Sequence, residues 1–162
     1  MTRQTDPADT LRALRGQLQM GELEMRGGAR TGLHAIPGHA GGASLSFLHF
    51  EDGEAVAWVD FAPAPPVEDL PCYNLACAVT PEASGRGAAR AAIGAALAEL
   101  RGRLAQAGTN AFLVDALVLE DNPAARRLAE SLLSPDPIAT SAPWSGQPAC
   151  RYLGRFEAAP AD

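Results

Sequence analysis

The chain has 162 residues, of which 47% are hydrophobic and 20% are charged, so it can bury a core; we expect one globular domain over 1–162, with loose tails at 1–5 and 157–162. Its net charge of −6 and its lack of lysine exclude the strongly basic class of nucleic-acid-binding proteins, because that binding depends on positive charge. No apolar run reaches the ~20 residues of a membrane span, and three cysteines with a polar start predict free thiols, no membrane attachment and a cytoplasmic location.

The first half of the chain predicts a helix followed by a hairpin. Asp6 and Pro7 are typical of a helix start, since aspartate caps free N–H groups and proline fits the first turn. Asp52-Gly53 between two alternating apolar segments is a strong hairpin signal. Four prolines within 62–71 predict a stiff loop, because proline cannot donate a ladder hydrogen bond. The other expected elements are a helix at 7–25, a glycine-rich connection at 26–43 with a short strand at 31–36, and strands at 44–51 and 54–61.

The second half alternates strands and helices, which is typical of a right-handed βαβ unit followed by closing strands. The segment 111–119 is apolar on both faces apart from Asp115, as in a strand that is covered on both sides. Asn122 precedes a proline and is expected to cap the next helix. The expected elements are a strand at 72–79, a helix that ends at about 107, a strand at 111–119, a helix at 123–133, and strands at 138–142 and 149–156.

A glycine-bearing turn joins the strand at 72–79 to the long helix. It reads S-G-R-G-A-A from Ser84 to Ala89, and little side-chain bulk covers its backbone. A helix start carries free N–H groups and a partial positive charge, which together favour phosphate. The same residues also suit a tight turn that binds nothing, so both interpretations stay open.

Two segments together resemble the GNAT superfamily of acyl-CoA N-acyltransferases. The first is V-T-P-E-A-S-G-R-G-A-A at 79–89, which is similar to the family's acetyl-CoA signature, Arg/Gln-x-x-Gly-x-Gly/Ala after Val-x-Pro. The second is L-E-D-N-P-A-A-R-R-L at 119–128, which is similar to the family's next block, a strand end and an Asn-capped helix. One helix and one strand separate the two segments, as in the family.

The resemblance implies an α/β (α+β) fold with a mixed, mostly antiparallel central sheet flanked by helices. It also implies an acetyltransferase that uses acetyl-CoA as co-substrate without a metal, and an acceptor amine on a small molecule or a peptide. Backbone groups of Cys77, Ala78 and Val79 would pair with the pantetheine arm. Asn122 would lie near the thiol. The pyrophosphate would contact the turn residues Ser84, Gly85, Arg86, Gly87, Ala88 and Ala89.

The chain departs from the family at positions that carry chemistry. Ala129 stands where a tyrosine often protonates the departing thiolate. The segment 73–77 lacks the usual carboxylate base, so a water ordered by Tyr73 and Asn74 would relay the proton. Tyr73 and Asn122 are therefore the candidate catalytic residues.

Three other positions leave alternatives open. Ser84 replaces the usual Arg or Gln of the signature, which predicts weaker cofactor binding. Asp60 is a second candidate base, although a surface carboxylate at a strand end is the favoured interpretation. Cys77 is either an acyl-carrying nucleophile or, as we favour, a buried core cysteine.

The main alternative to an enzyme is a catalytically inactive GNAT-like module that binds acyl-CoA or a protein partner. A dinucleotide-binding domain is disfavoured, because Arg90 stands where the third glycine of its fingerprint belongs. The three histidines lack the spacing of metal ligands. The sequence leaves monomer and homodimer open.

Overall fold

The computed structural model describes residues 6–22, 26–27, 33–36 and 44–158. Within these ranges the chain forms three helices and eight strands. The helices are α1 (Pro7–Gln19), α2 (Ala88–Gln106) and α3 (Pro123–Leu132). The strands are β1 (Arg26–Gly27), β2 (Leu33–Ile36), β3 (Leu45–Glu51), β4 (Glu54–Val67), β5 (Leu70–Val79), β6 (Ala111–Leu119), β7 (Ile138–Ser141) and β8 (Pro148–Glu157).

The strands form one sheet in the order β1-β2-β3-β4-β5-β6-β8-β7. Neighbouring strands are antiparallel except β5 and β6, which are parallel. Parallel neighbours need a crossover connection, and α2 provides it. The expected mixed, mostly antiparallel sheet flanked by helices is therefore confirmed.

Helix α2 packs on one face of the sheet. Side chains alternate along the strands, and Phe47, Val59 and Phe112 point toward this helix and are fully buried. Ile93 and Leu100 are two turns apart on α2 and complete the cluster. They belong to the predicted apolar stripe of the helix. Helix α3 adds partly buried leucines to the same side.

Helix α1 packs on the opposite face. Its Leu11 and Leu14 are buried against Leu48 and Trp58, which alternate with the residues that face α2. Burying each such side chain stabilises the fold by about 1.5–3 kcal/mol relative to leaving it exposed. The sheet is thus covered on both faces in its central part.

The prediction of a loop at 62–71 is wrong. Strand β4 runs on to Val67, and β5 returns from Leu70 after a two-residue turn. Strand β3 pairs with β4 only as far as Phe61, so no described strand occupies that side of β4 beyond this point. Proline is tolerated on such an edge, because the missing N–H group needs no partner there.

Two other boundaries differ from those expected. Helix α1 ends at Gln19 rather than at 25, because Gly21 takes a left-handed φ of +72° and turns the chain. Glu157 belongs to β8 rather than to a loose tail. Ala158 is also expected in the tail, but its N–H bonds to the carbonyl of Asn110 at 2.9 Å. The predicted tail residues 1–5 and 159–162 lie outside the described residues. The glycine-rich connection supplies β1 and β2, and β2 is the short strand expected there.

Candidate functional site

The parallel strands β5 and β6 pair over only part of their length. The ladder joins Cys72–Leu75 to Leu113–Ala116 and then stops. Strand β5 continues to Val79 along β4, while β6 continues to Leu119 along β8. Each strand follows its antiparallel partner, so a gap opens between them beside 77–79, the segment expected to pair with the pantetheine arm. Backbone groups that face the gap are left for another partner.

The gap forms part of a cleft of about 590 Å³. Its walls come from the ends of β5 and β6, the glycine turn, the starts of α1 and α2, and the whole length of α3. Arg86 and Tyr73 do not line it. Neither do Asn74 and Asp60, the other candidates for proton transfer. The remaining residues predicted to contact acetyl-CoA line the cleft, namely Cys77, Ala78, Val79, Ser84, Gly85, Gly87, Ala88, Ala89 and Asn122.

The glycine turn takes a conformation that suits glycine. Gly85 and Gly87 have φ angles of +82° and +80°, which residues with a Cβ adopt only at an energetic cost. The N–H groups of Ala83 and Ser84 bond to the carbonyl of Thr80, and the N–H of Arg86 bonds to the carbonyl of Ala83. These bonds hold the turn without a ligand.

The remaining N–H groups of the turn are free to bind one. The first backbone bond of α2 joins the N–H of Ala91 to the carbonyl of Gly87. The preceding N–H groups lie at the positive end of the helix dipole, where an anion is stabilised. Within the described ranges they donate no backbone hydrogen bond, and they belong to Gly85, Gly87, Ala88, Ala89 and Arg90.

Three arginines near the turn have different surroundings. Arg86, the predicted phosphate contact, reaches the β3–β4 hairpin, where its Nη2 atom lies 3.8 Å from Glu51 Oε2. Arg90 and Arg127 line the cleft instead, and Arg90 Nη2 donates to Ser131 Oγ at 3.2 Å. The sequence pattern did not single out either residue. Arg90 follows the last glycine of the turn by three positions. Residues three apart lie on the same face of a helix, so this spacing could have indicated that Arg90 faces the cleft.

Asn122 caps α3 and also faces the cleft. Its Oδ1 atom accepts a hydrogen bond from the N–H of Ala125 at 3.1 Å, which leaves the Nδ2 hydrogens available to a ligand. Ala129 lines the cleft as well and packs against the buried Tyr152. The hydroxyl of Tyr152 donates to Glu130 Oε1 at 3.3 Å, and neither of these two residues lines the cleft. No tyrosine lines the described part of the cleft.

Tyr73 lies on the α2 face of the sheet, apart from the other predicted site residues. Its ring meets that of Phe112 edge-on, with centroids 6.3 Å apart, and it packs against the core cluster. Burial raises the pKa of Tyr73. This position gives no support to the predicted ordering of a catalytic water.

Asp60 is buried, whereas Cys77 packs against the core cluster and also lines the cleft. Asp60 is buried on the α1 face, where Ser46 Oγ donates to its carboxylate, so the favoured interpretation as a surface carboxylate is wrong. Asp60 does not line the cleft. Burial raises the pKa of Cys77 to about 12, so its thiol stays protonated near neutral pH. A protonated thiol is a poor nucleophile, which agrees with a core cysteine.

A second cavity, of about 460 Å³, adjoins the cleft. Leu75 and Leu117 line both, so the two spaces adjoin where β5 and β6 separate. Prolines from the extended end of β4 form one wall of the second cavity. Its polar lining consists of Asn74, Asp115, Thr140, Ser141 and Arg151.

Asp115 and Arg151 form an ion pair inside this second cavity. Arg151 Nε lies 3.1 Å from Oδ2 and 3.3 Å from Oδ1 of Asp115, and Nη2 also donates to Oδ2. Asp115 is 8% exposed, whereas 51% of the Arg151 side chain is exposed. Hydrogen bonding to Asp115 raises the pKa of Arg151, so the guanidinium remains charged.

Other site types find no support in the described ranges. Residues 6–22, 26–27, 33–36 and 44–158 contain no cluster of three or more metal-ligating side chains. None of the three helices seen in those ranges combines the length and the apolar character of a membrane span.

Comparisons with known proteins agree with this architecture. A family model described as "Acetyltransferase (GNAT) family" matches residues 20–133. Curated protein sequences contain no significant match. The solved structure of yncA from Salmonella typhimurium, with its cofactor acetyl-CoA, is 15% identical over 74% of this chain and 67% of that chain, with a TM-score of 0.52. A SpeG spermidine N-acetyltransferase chimera from Vibrio cholerae and hSSAT is 17% identical over 72% and 71%, with a TM-score of 0.50.

Proposed function

The chain belongs to the acetyltransferase (GNAT) family, and on this basis we propose that it transfers an acetyl group from acetyl-CoA to an amine. The observation that carries the proposal is the cleft at the separation of β5 and β6. Free N–H groups of the glycine turn lie along it, and the second cavity adjoins it. The strands of one sheet build both spaces, which supports a single domain over 1–162.

Acetyl-CoA would bind along the cleft. The N–H groups of Gly85, Gly87 and the first turn of α2 suit the pyrophosphate, and the guanidinium groups of Arg90 and Arg127 add positive charge. The pantetheine arm would pair with the free edge of β5 at 77–79, as an added strand does. Arg86 is assigned no phosphate, since it already pairs with the β3–β4 hairpin.

Transfer needs a neutral amine that attacks the thioester carbonyl carbon. The C–N bond forms as the C–S bond breaks, the sulfur leaves as a thiolate, and the amine proton passes to water. A backbone N–H on β5 near Val79 would polarise the carbonyl oxygen, as an oxyanion-hole donor does. The amide of Asn122 would donate a hydrogen bond to the pantetheine arm or to the sulfur. Placing both reactants in adjoining spaces supplies much of the rate.

The amine proton passes to water in this proposal because the titratable side chains that line the described cleft are not suited to accept it. Asp6 is the acidic side chain in the described cleft lining, and its carboxylate caps α1 by accepting from the N–H of Ala8 at 3.0 Å. Cys77 keeps its proton near neutral pH. We therefore assign acid–base chemistry to solvent and not to Tyr73.

The test is a calorimetric titration with acetyl-CoA of the wild type and of two matched variants. Ala89→Glu adds a carboxylate to the cleft wall, and Ala91→Glu adds the same group two residues later on an exposed position outside the cleft. We expect Ala89→Glu to weaken binding at least about tenfold, because it repels the pyrophosphate, and Ala91→Glu to bind like the wild type. Equal affinity for all three proteins would contradict the proposed cofactor position.

A second function is favoured by one observation, the absence of a tyrosine or an unengaged carboxylate from the described cleft lining. The chain would then be a module that binds acyl-CoA, or a protein, without transferring the acyl group. Release of coenzyme A thiol across a panel of amines separates the two. Tight acetyl-CoA binding without thiol release above the uncatalysed rate would favour the binding module.

Partners and location complete the proposal. The acceptor is an amine on a small molecule or a peptide, and neither a nucleic acid nor a membrane takes part. All three cysteines are free thiols, which supports action in the reducing cytoplasm. Both a monomer and a homodimer are compatible with the cleft as described.

A further inference from the structure

The charge of the second cavity restricts what can enter it. Asp115 is the acidic side chain in its described lining, and both of its oxygens already accept hydrogen bonds from Arg151. A polyamine is held by carboxylates that are free to pair with its several cationic groups. This lining offers no carboxylate without a partner, so it does not favour such an acceptor.

Arg151 instead offers hydrogen-bond donors. A guanidinium carries five N–H groups in a fixed planar arrangement. Asp115 accepts from the single N–H of Nε and from one N–H of Nη2. About half of the Arg151 side chain is exposed. The ion pair fixes the orientation of the guanidinium, so little further entropy is lost when a second anion binds to it. The free N–H groups suit a carboxylate.

The rest of the cavity suits the same kind of molecule. Asn74, Thr140 and Ser141 add an amide and two hydroxyl groups, which can bond to the oxygens of a carboxylate or an amide. Prolines and leucines supply apolar wall. A volume of about 460 Å³ is ample for an amino acid or a short peptide end.

We propose that the second cavity is the acceptor site and that its acceptor is an amine which also carries a carboxylate, bound by Arg151. This inference rests on the proposed acetyl transfer. The carboxylate would lie at Arg151, and the amine would reach past Leu75 and Leu117 toward the gap between β5 and β6, where the thioester carbonyl would lie.

The test compares acceptors that differ only in the carboxylate. Thiol release from acetyl-CoA is assayed with standard amino acids, with their amides and with the corresponding amines that lack the carboxylate. Spermidine is assayed as a further acceptor. We expect the free acids to have a kcat/KM at least tenfold above that of the matched amides. Equal values for acid and amide, or spermidine as the best acceptor, would overturn the inference while leaving acetyl transfer intact.

Variants on β8 assign the preference to one side chain. Arg151→Gln should lower kcat/KM for the acids about 10- to 100-fold and leave the amides nearly unchanged, because one charge-assisted contact is lost. Arg151→Lys keeps the charge and should retain part of the preference. Arg155→Gln removes the same charge four residues along the strand, at an exposed position outside the cavity, and should behave like the wild type. Similar effects of the 151 and 155 variants would overturn the inference.

Two controls separate loss of the carboxylate contact from misfolding and from loss of acetyl transfer. Arg151→Gln leaves Asp115 buried without its partner, so the double variant Asp115→Asn/Arg151→Gln, which carries neither charge, is measured beside it. Calorimetry with the preferred acid and no acetyl-CoA gives a readout that does not need transfer. If the wild type binds the acid while Arg151→Gln and the double variant do not, the carboxylate site stands even where thiol release is absent. If no acid binds and none is acetylated, the site is not a carboxylate site.

Discussion

Ser46 and Asp60 face each other across β3 and β4 on the α1 side of the sheet. The serine hydroxyl donates to the buried carboxylate, and both residues are at most 5% exposed. A buried carboxylate needs hydrogen-bond donors, because the loss of hydration is otherwise not compensated. The pair therefore belongs to the stability of the sheet rather than to catalysis.

Ser46→Ala should lower the free energy of unfolding by about 1–3 kcal/mol, because it removes a donor from a buried carboxylate. Urea unfolding measures the change. Ser145→Ala is the control, since its hydroxyl bonds to Gln147 on the exposed surface, and we expect a loss below about 0.5 kcal/mol. Equal losses in both variants would contradict a stabilising role for the buried pair.

Cys77 should make the stability depend on alkaline pH. Burial raises its pKa from 9.0 to about 12, so the unfolded chain loses the thiol proton before the folded chain does. The contribution is fully present below pH 9 and is lost as the pH rises toward 12, at about 1.4 kcal/mol for each pH unit. Cys72 and Tyr73 shift in the same direction and act with the same sign.

The Cys77→Ala variant isolates that contribution. Its free energy of unfolding should fall less steeply than that of the wild type between pH 9 and 11, while the slopes below pH 8 agree. Denaturant unfolding at a series of pH values measures this. Parallel curves for the two proteins over the whole range would show that burial does not hold the Cys77 proton.

At the scale of elements, the site depends on two strands that separate and on the helix that joins them. Strand β5 follows β4, β6 follows β8, and α2 begins at the turn beyond the end of β5. The gap, the free N–H groups and the helix dipole therefore meet in one place. Of the arginines in this region, Arg90 lines the cleft and Arg86 does not.

Replacing Arg90 should weaken acetyl-CoA binding, and replacing Arg86 should not. Arg90→Gln removes a cation from the cleft wall, for which we expect a roughly tenfold rise in Kd, or about 1.4 kcal/mol. Arg86→Gln breaks only the exposed pair with Glu51 and should change Kd less than about twofold. Calorimetry of the two variants under the same conditions checks the difference. A larger effect for Arg86 would restore the phosphate role predicted from the sequence.

The same elements show what the sequence could predict. Apolar periodicity, the Asn122 cap and the glycine turn are local signals, so the order of elements could be predicted from them, whereas the cofactor contact at 77–79 is implied by the family resemblance. The continuation of β4 through its prolines could not, because it depends on where β3 stops pairing. The direction of Arg86 and the position of Tyr73 depend on contacts with distant strands. Such contacts leave no local pattern.

At the scale of the whole molecule, the cleft brings together elements from distant parts of the chain. The starts of α1 and α2, the length of α3 and the ends of β5 and β6 line one cleft, although they are distant in sequence. A ligand in that space would contact helices on both faces of the sheet. Bound acetyl-CoA should therefore stabilise the global fold and not one segment.

Acetyl-CoA at about 100 times its Kd should add about 2.7 kcal/mol to the free energy of unfolding. For a chain of this length that corresponds to a rise in Tm of roughly 5–10 °C. Scanning calorimetry with and without acetyl-CoA measures the shift, and Ala89→Glu at the same concentration should show little of it. A rise in Tm of equal size in that variant would contradict binding at the glycine turn.

The prolines at the extended end of β4 have a consequence for how copies of this protein behave toward one another. Beyond Phe61 that strand has a side on which no described strand pairs, and such edges can template strand addition and aggregation. Pro63, Pro65 and Pro66 offer no N–H donors, so a strand from another molecule finds an interrupted ladder. Replacing Pro65 and Pro66 with threonine should raise light scattering at high protein concentration. The segment would thus keep the protein dispersed, while some of the same residues line the second cavity.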